Sequence, residues 1–308
     1  MLESIIQGIL LGGYYAVLAA GLSLMFGVVR FINLAHGDMA VLGAMIALWL
    51  VQVLGLGVPW AIALTLPMMA ALGWLLQRFI FERSLKGGFL IPILTTIGLA
   101  AALQNGMFAA FGSDTRSLGA YIGGLSWASW QLPGNIFVGK LPVYMFATAL
   151  VVLGALHLVL TRTGFGRAVR ATASDPEAAA LCGVDAIRVH RGAAAIAVAL
   201  AGLAGIFLAL RAQVTPFSGP MLLIFAFEAV VIGGIGSLRG TLLGGLALGL
   251  AQSLGGMISP QFSLLAGHCL FLVILAVRMS QGAASERGGW RAALMATVLN
   301  RAQMRRRA

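Results

Sequence analysis

The chain has 308 residues, 60% of them hydrophobic and only 9% charged, with a mean hydropathy of +0.98. So little polar surface cannot cover a soluble domain, and apolar runs long enough to cross a bilayer recur from end to end. The formal net charge of +11 does not point to nucleic acid, because its distribution along the chain follows membrane orientation.

These features predict an all-α, polytopic integral membrane protein embedded in the lipid bilayer. A first span is expected over residues 5–28; no basic segment precedes it, so it reads as a retained span and not a cleaved signal. Gly8, Gly12, Gly13, Ala16, Ala19 and Ala20 line one side of it, and in a membrane small residues mark helix–helix contact. A polar break holding Arg30, Asn33, His36 and Asp38 leads to a second span over 39–54, which ends at a turn over 55–59. The third span covers 60–76 and a basic loop 77–86. The fourth, 89–111, contains Pro92 and Asn105, as expected of a kinked helix that faces other helices. Residues 112–141 form a long polar segment with Tyr121, Trp127 and Trp130 as interfacial anchors.

Spans over 142–160 and 192–210 enclose a polar loop, residues 161–191. Segments 221–235 and 241–257 flank a glycine-rich break, 233–240, and read either as two thin spans or as a re-entrant hairpin. A last span covers 262–277. Residues 1–278 therefore make a transmembrane domain, and 279–308 an arginine-rich cytoplasmic tail whose apolar stretch, 290–298, reads as an interfacial helix. With the N-terminus outside, all of the 20 Lys and Arg residues except Arg116, Lys140 and Arg211 fall inside. The positive-inside rule thus sets the C-terminus inside, with about nine crossings, or seven if the 221–257 pair is re-entrant. Cys182 falls in the cytoplasmic loop and Cys269 in a span, so they form no disulfide framework.

The 161–191 loop is the longest polar interruption and encodes a small helix at its centre. Ser174 and Glu177 match a capping box, and Asp175 adds negative charge at the positive end of the helix dipole. Pro176 suits the first turn, and Gly183 can take the positive φ that ends it. About two turns result, roughly 12 Å at 1.5 Å per residue. A helix this short is marginal alone in water, so it is expected to dock, and Ala178, Ala179 and Ala180 permit close approach.

Glu177-Ala178-Ala179 followed by Gly183 resembles the cytoplasmic EAA loop of ABC-importer permeases, although the I-x-L-P ending common in that motif is absent here. A longer pattern is similar to the LivH-type branched-chain amino-acid permease family over about residues 5–277. It runs from Gly21 through Gly27, Arg30, Asn33, His36 and Asp38, then Gly166, Arg167 and Arg170 to Gly183, then Gly233 through Gly236, Gly240 and Gly244. The resemblance implies a non-enzymatic transport subunit in a bacterial inner membrane. It would pair with a homologous second permease, two ATP-binding cassette subunits and a periplasmic amino-acid-binding protein. ATP and Mg²⁺ would sit on the cassette subunits, and this chain would bind no cofactor. Arg167, Arg170, Asp175, Glu177, Ala178, Ala179 and Gly183 become the expected ATPase-coupling residues. Related permeases for urea, short amides or sugars share such a loop, and an ATP-independent secondary transporter is the other alternative.

Candidate pathway residues are few. Asn33, His36 and Asp38 either gate the inner mouth or, as favoured, simply cap a turn near the interface. Glu228 lies in an apolar run, where an acid is expensive; it is expected to face the bundle interior or water, pairing with a cation such as Arg239 or meeting a substrate ammonium, unless its place about eight residues from Pro220 puts it near the outer interface. Gly233 and Gly236 serve either close packing or a broken helix at a binding site. His157 and His268 read as hydrogen-bonded packing residues, and no histidine has metal-ligand spacing. Residues 134–141 imitate a phosphate-binding loop, but Leu141 replaces the Ser or Thr that would hold Mg²⁺ and the segment falls outside; it is rejected as a nucleotide site.

Overall fold

The computed structural model describes residues 1–88, 90–133 and 136–280. The expected arginine-rich tail, with its 290–298 stretch, lies outside the described residues. Helices long and apolar enough to cross a membrane are α1 (Leu2–Val29), α3 (Val58–Leu76, continued through a π-helical turn and the short α4, Glu82–Ser84), α5 (Leu90–Phe111), α6 (Lys140–Arg162), α9 (Ala186–Arg211), α11 (Leu238–Ile258) and α12 (Pro260–Ser280). Two shorter apolar helices, α2 (His36–Gln52) and α10 (Gly219–Gly233), bring the apolar helices to nine among the described residues.

α1, α2 and α9 form the buried centre, while α5, α6 and α12 stay peripheral and expose Leu94, Val151, Leu158 and Leu272. The small-residue side of α1 packs on α11, as its composition predicts. A Cβ on Gly12 would stand 2.6 Å from the Leu246 Cα, so the two backbones touch where lipid supplies no drive for association.

The short spans are not the pair expected. α11 runs the length of α1 and is a full span, so the 221–257 segment is no re-entrant hairpin. Instead α2 and α10 are short because both begin inside the bundle. α1 ends at Arg30, the non-glycine residue with positive φ (61°) among the described residues. The chain then climbs back through residues 31–35. His36 donates from Nε2 to the Leu18 carbonyl (3.0 Å), eleven residues from the end of α1, or about 16 Å at 1.5 Å per residue. α10 is likewise preceded by a descending connector, 212–218.

On the outer side an unexpected hairpin pairs β1 (Ser129–Leu132) with β2 (Ile136–Gly139), setting Trp130 opposite Val138. Lys140, the lysine of the rejected phosphate-loop imitation, lies over the Trp130 ring at 5.6 Å.

Candidate functional site

The cytoplasmic loop folds into two helices, α7 (Gly164–Ser174) and α8 (Pro176–Leu181). Thr163 caps α7 by accepting from Gly166 N (3.1 Å). The cap of α8 is Asp175 and not the expected Ser174, which is the last residue of α7. Asp175 has extended backbone, and its Oδ1 accepts from Glu177 N (2.9 Å) and Ala178 N (3.0 Å). Gly183, at φ +80°, ends the helix as predicted: Gly183 N donates to Ala180 O and Val184 N to Ala179 O, both at 3.0 Å.

The alanines divide between two faces. Ala179 is buried against the bundle, while Glu177, Ala178, Ala180, Leu181 and Cys182 face away from it. Leu181 is 91% exposed, a large apolar side chain with nothing over it. Arg167 is exposed, and Arg170 donates to the Leu160 carbonyl, tying α7 to the end of α6.

Arg30, overlooked as a site residue, joins this loop to the membrane bundle. Its Nη2 donates to the carbonyls of Ala173 (2.6 Å) and Ser174 (3.3 Å), the last turn of α7. One side chain therefore connects the α7–α8 corner to the residue where α1 ends and the climb toward α2 begins.

At the top of that climb two helix N-termini meet. A Cβ on Gly37 would stand 2.0 Å from the Gly219 carbonyl oxygen, and one on Gly219 would stand 1.9 Å from Asp38 Oδ1. Only glycines allow α2 and α10 to approach this closely. Asp38 lies in the first turn of α2, against the start of α10, where both dipoles favour an anion, and it accepts from Gln104 Nε2 of α5 (2.9 Å). Asn33 Oδ1 accepts from Ala35 N (3.1 Å). The favoured local-turn reading therefore holds for the Asn33 bond alone: His36 and Asp38 bond to α1 and α5, and Asn33, His36 and Asp38 are each at most 2% exposed, deep in the bundle and not at an interface. Gln104 was missed because Asn105 drew attention beside it, and Gly219 because the Pro216–Pro220 region reads only as a turn.

Glu228 faces the bundle interior, as expected, but its partner is His268 of α12 and not Arg239. Arg239 sits at the inner end beside Thr161 and Arg170. Gly233 and Gly236 serve close packing at that same inner end. Gly233 abuts the Gly240 backbone and Gly236 the Cα of Gly27, whereas the interior helix starts lie at His36 and Gly219.

The family model described as "Branched-chain amino acid transport system / permease component" matches residues 4–277. The chain is 30% identical over 287 residues to the high-affinity branched-chain amino acid transport system permease protein BraD of Pseudomonas aeruginosa, covering 90% of this chain and 94% of that protein. It is 27% identical to the corresponding permease LivH of Escherichia coli, over 90% of this chain and 93% of that one. A partial match, 37% over 160 residues, links it to the fructose import permease FrcC of Rhizobium meliloti, covering 48% of this chain and 43% of the relative. No solved structure matches.

Proposed function

The chain belongs to the family of branched-chain amino acid transport permease components, and we propose that it imports branched-chain amino acids across a bacterial inner membrane as one subunit of an ATP-driven transporter. It is a transport subunit and not an enzyme; ATP and Mg²⁺ would be handled by two separate cassette subunits. A homologous second permease and a periplasmic amino-acid-binding protein complete the assembly. Residues 1–278 carry the transport domain and 161–191 its coupling loop.

The observation that carries this reading is the corner formed by α7 and α8. α8 presents Glu177, Ala178, Ala180 and Leu181 away from the bundle, a surface suited to a partner. Through Arg30 the same corner is bonded to the point where the chain turns toward the α2–α10 junction. Closure of the ATPases would push on α8, and the junction would move with it, alternating access between the two sides.

The test is uptake by the reconstituted complex. Glu177→Lys places the wrong charge on the docking face, and Gly183→Leu forces a branched side chain into positive φ. Both variants are expected to insert and span normally yet lose ATP-driven leucine, isoleucine and valine uptake. Normal uptake by both refutes the role of the loop. A panel that includes fructose and urea separates this solute class from its alternatives.

A further inference from the structure

Near the outer end of α9 a cavity of about 270 Å³ opens between α1, α9 and α10. Its apolar lining includes Leu208, Met221, Leu222 and Phe225, and its polar lining is Tyr14, Tyr15, Arg211 and Ser218. Arg211 is one of the three basic residues on the outer side, and it faces no carboxylate among the described residues. Its guanidinium lies over the Tyr14 ring, 5.6 Å from the centroid, which leaves its N–H edges free to donate. Ser218, the N-cap residue of α10, also lines this space.

Tyr14 is 3% exposed, yet its Oη has no hydrogen-bond partner among the described residues. Leaving a buried hydroxyl unbonded costs about 1–3 kcal/mol, a cost removed when a ligand meets it. Behind Phe225, whose ring lies 5.2 Å from that of Tyr15, a second oxygen of Glu228 and the amide nitrogen of Gln252 are also without partners.

We propose that this cavity is the outer holding site of the permease for a zwitterionic aliphatic amino acid. The solute's carboxylate would be bound by Arg211, its ammonium by Tyr14 Oη, and its side chain by Leu208, Leu222 and Phe225. A guanidinium pairs with a carboxylate through two parallel N–H donors, which fixes the solute's orientation as well as its charge. The site lies on the side from which a periplasmic binding protein would deliver cargo. It deepens the importer assignment and rests on it.

The test uses the full complex in proteoliposomes with its binding protein, comparing wild type, Arg211→Gln, Arg211→Lys and Tyr14→Phe. Loss of the guanidinium–carboxylate pair is expected to slow leucine uptake roughly tenfold in Arg211→Gln, the effect of about 1.4 kcal/mol. Tyr14→Phe is expected to slow it several-fold, with Arg211→Lys intermediate. ATPase activity stimulated by the binding protein should persist in all three, since the α7–α8 corner is untouched. Wild-type uptake rates in both Arg211→Gln and Tyr14→Phe overturn the site while leaving the importer assignment intact. A wild-type complex that carries fructose and no leucine overturns the assignment and this site with it. If Arg211→Gln fails to assemble, Tyr14→Phe decides, because it deletes a single oxygen: slowed uptake supports the site and unchanged uptake overturns it.

Discussion

Arg30 offers a perturbation in which stability and coupling should separate. Its backbone sits at φ 61°, a left-handed conformation costing an ordinary residue about 1 kcal/mol and glycine almost nothing. Its guanidinium makes two bonds to carbonyls of α7, but at an exposed position, so the pair contributes only about 1 kcal/mol. Arg30→Gly gains the first quantity and loses the second, and its net change in stability should stay within about 1 kcal/mol. Arg30→Ala loses the bonds and keeps the strain the wild type already has, so it should cost about 1 kcal/mol. If the side chain links the coupling loop to the α2 connector, both variants should hydrolyse ATP while moving little solute. Arg30→Gly should do so at a melting temperature close to wild type. The assay is the ratio of leucine transported to ATP hydrolysed in proteoliposomes, with thermal melts of the purified complex alongside. Should Arg30→Gly keep the wild-type ratio, the side-chain link carries no signal and the backbone turn alone explains the residue.

Two further outcomes are expected. Asp38→Ala should destabilise the complex by roughly 2–4 kcal/mol, since it strands Gln104 Nε2 and removes the anion at two helix starts, whereas Asp38→Asn keeps an acceptor and should cost only about 1. Thermal melts of both variants and of Asp38→Ala/Gln104→Ala check this, and equal losses for Asn and Ala refute the acceptor argument. Cys182 is exposed at the end of α8, so a membrane-impermeant maleimide should label it in inverted vesicles and not in right-side-out ones, in a Cys269→Ala background. Labelling from outside would place the loop beyond reach of any ATPase.

Spans and the α8 helix were legible because each depends on local chemistry: apolar runs, and a proline–glycine frame around alanines. The depth of a helix start is not a local property. Residues 31–35 read as an interfacial turn because Asn33, His36 and Asp38 are polar, and polarity is cheapest at an interface. In the fold His36 and Asp38 find partners on other helices, Leu18 and Gln104, while Asn33 bonds to Ala35 N, so the same polarity is satisfied in the interior. Ser174 and Asp175 are both good caps, and only the continuation of α7 through Ser174 decides between them.

Glu228 shows the same limit from another side. The requirement that an intramembrane acid have a partner was readable, but the nearest cation in sequence, Arg239, lies eleven residues further on, beyond the α10–α11 turn at the inner end of the bundle. The fold supplies His268 from forty residues away. An isolated polar residue in an apolar run thus specifies that a contact exists and leaves its identity to tertiary structure. Applied to Arg211 and Tyr14, the same reasoning is what gives the outer cavity its meaning. Among the described residues Arg211 meets the Tyr14 ring but no carboxylate, and Tyr14 Oη meets no hydrogen-bond partner, which are the two groups that the carboxylate and ammonium of the proposed solute would meet.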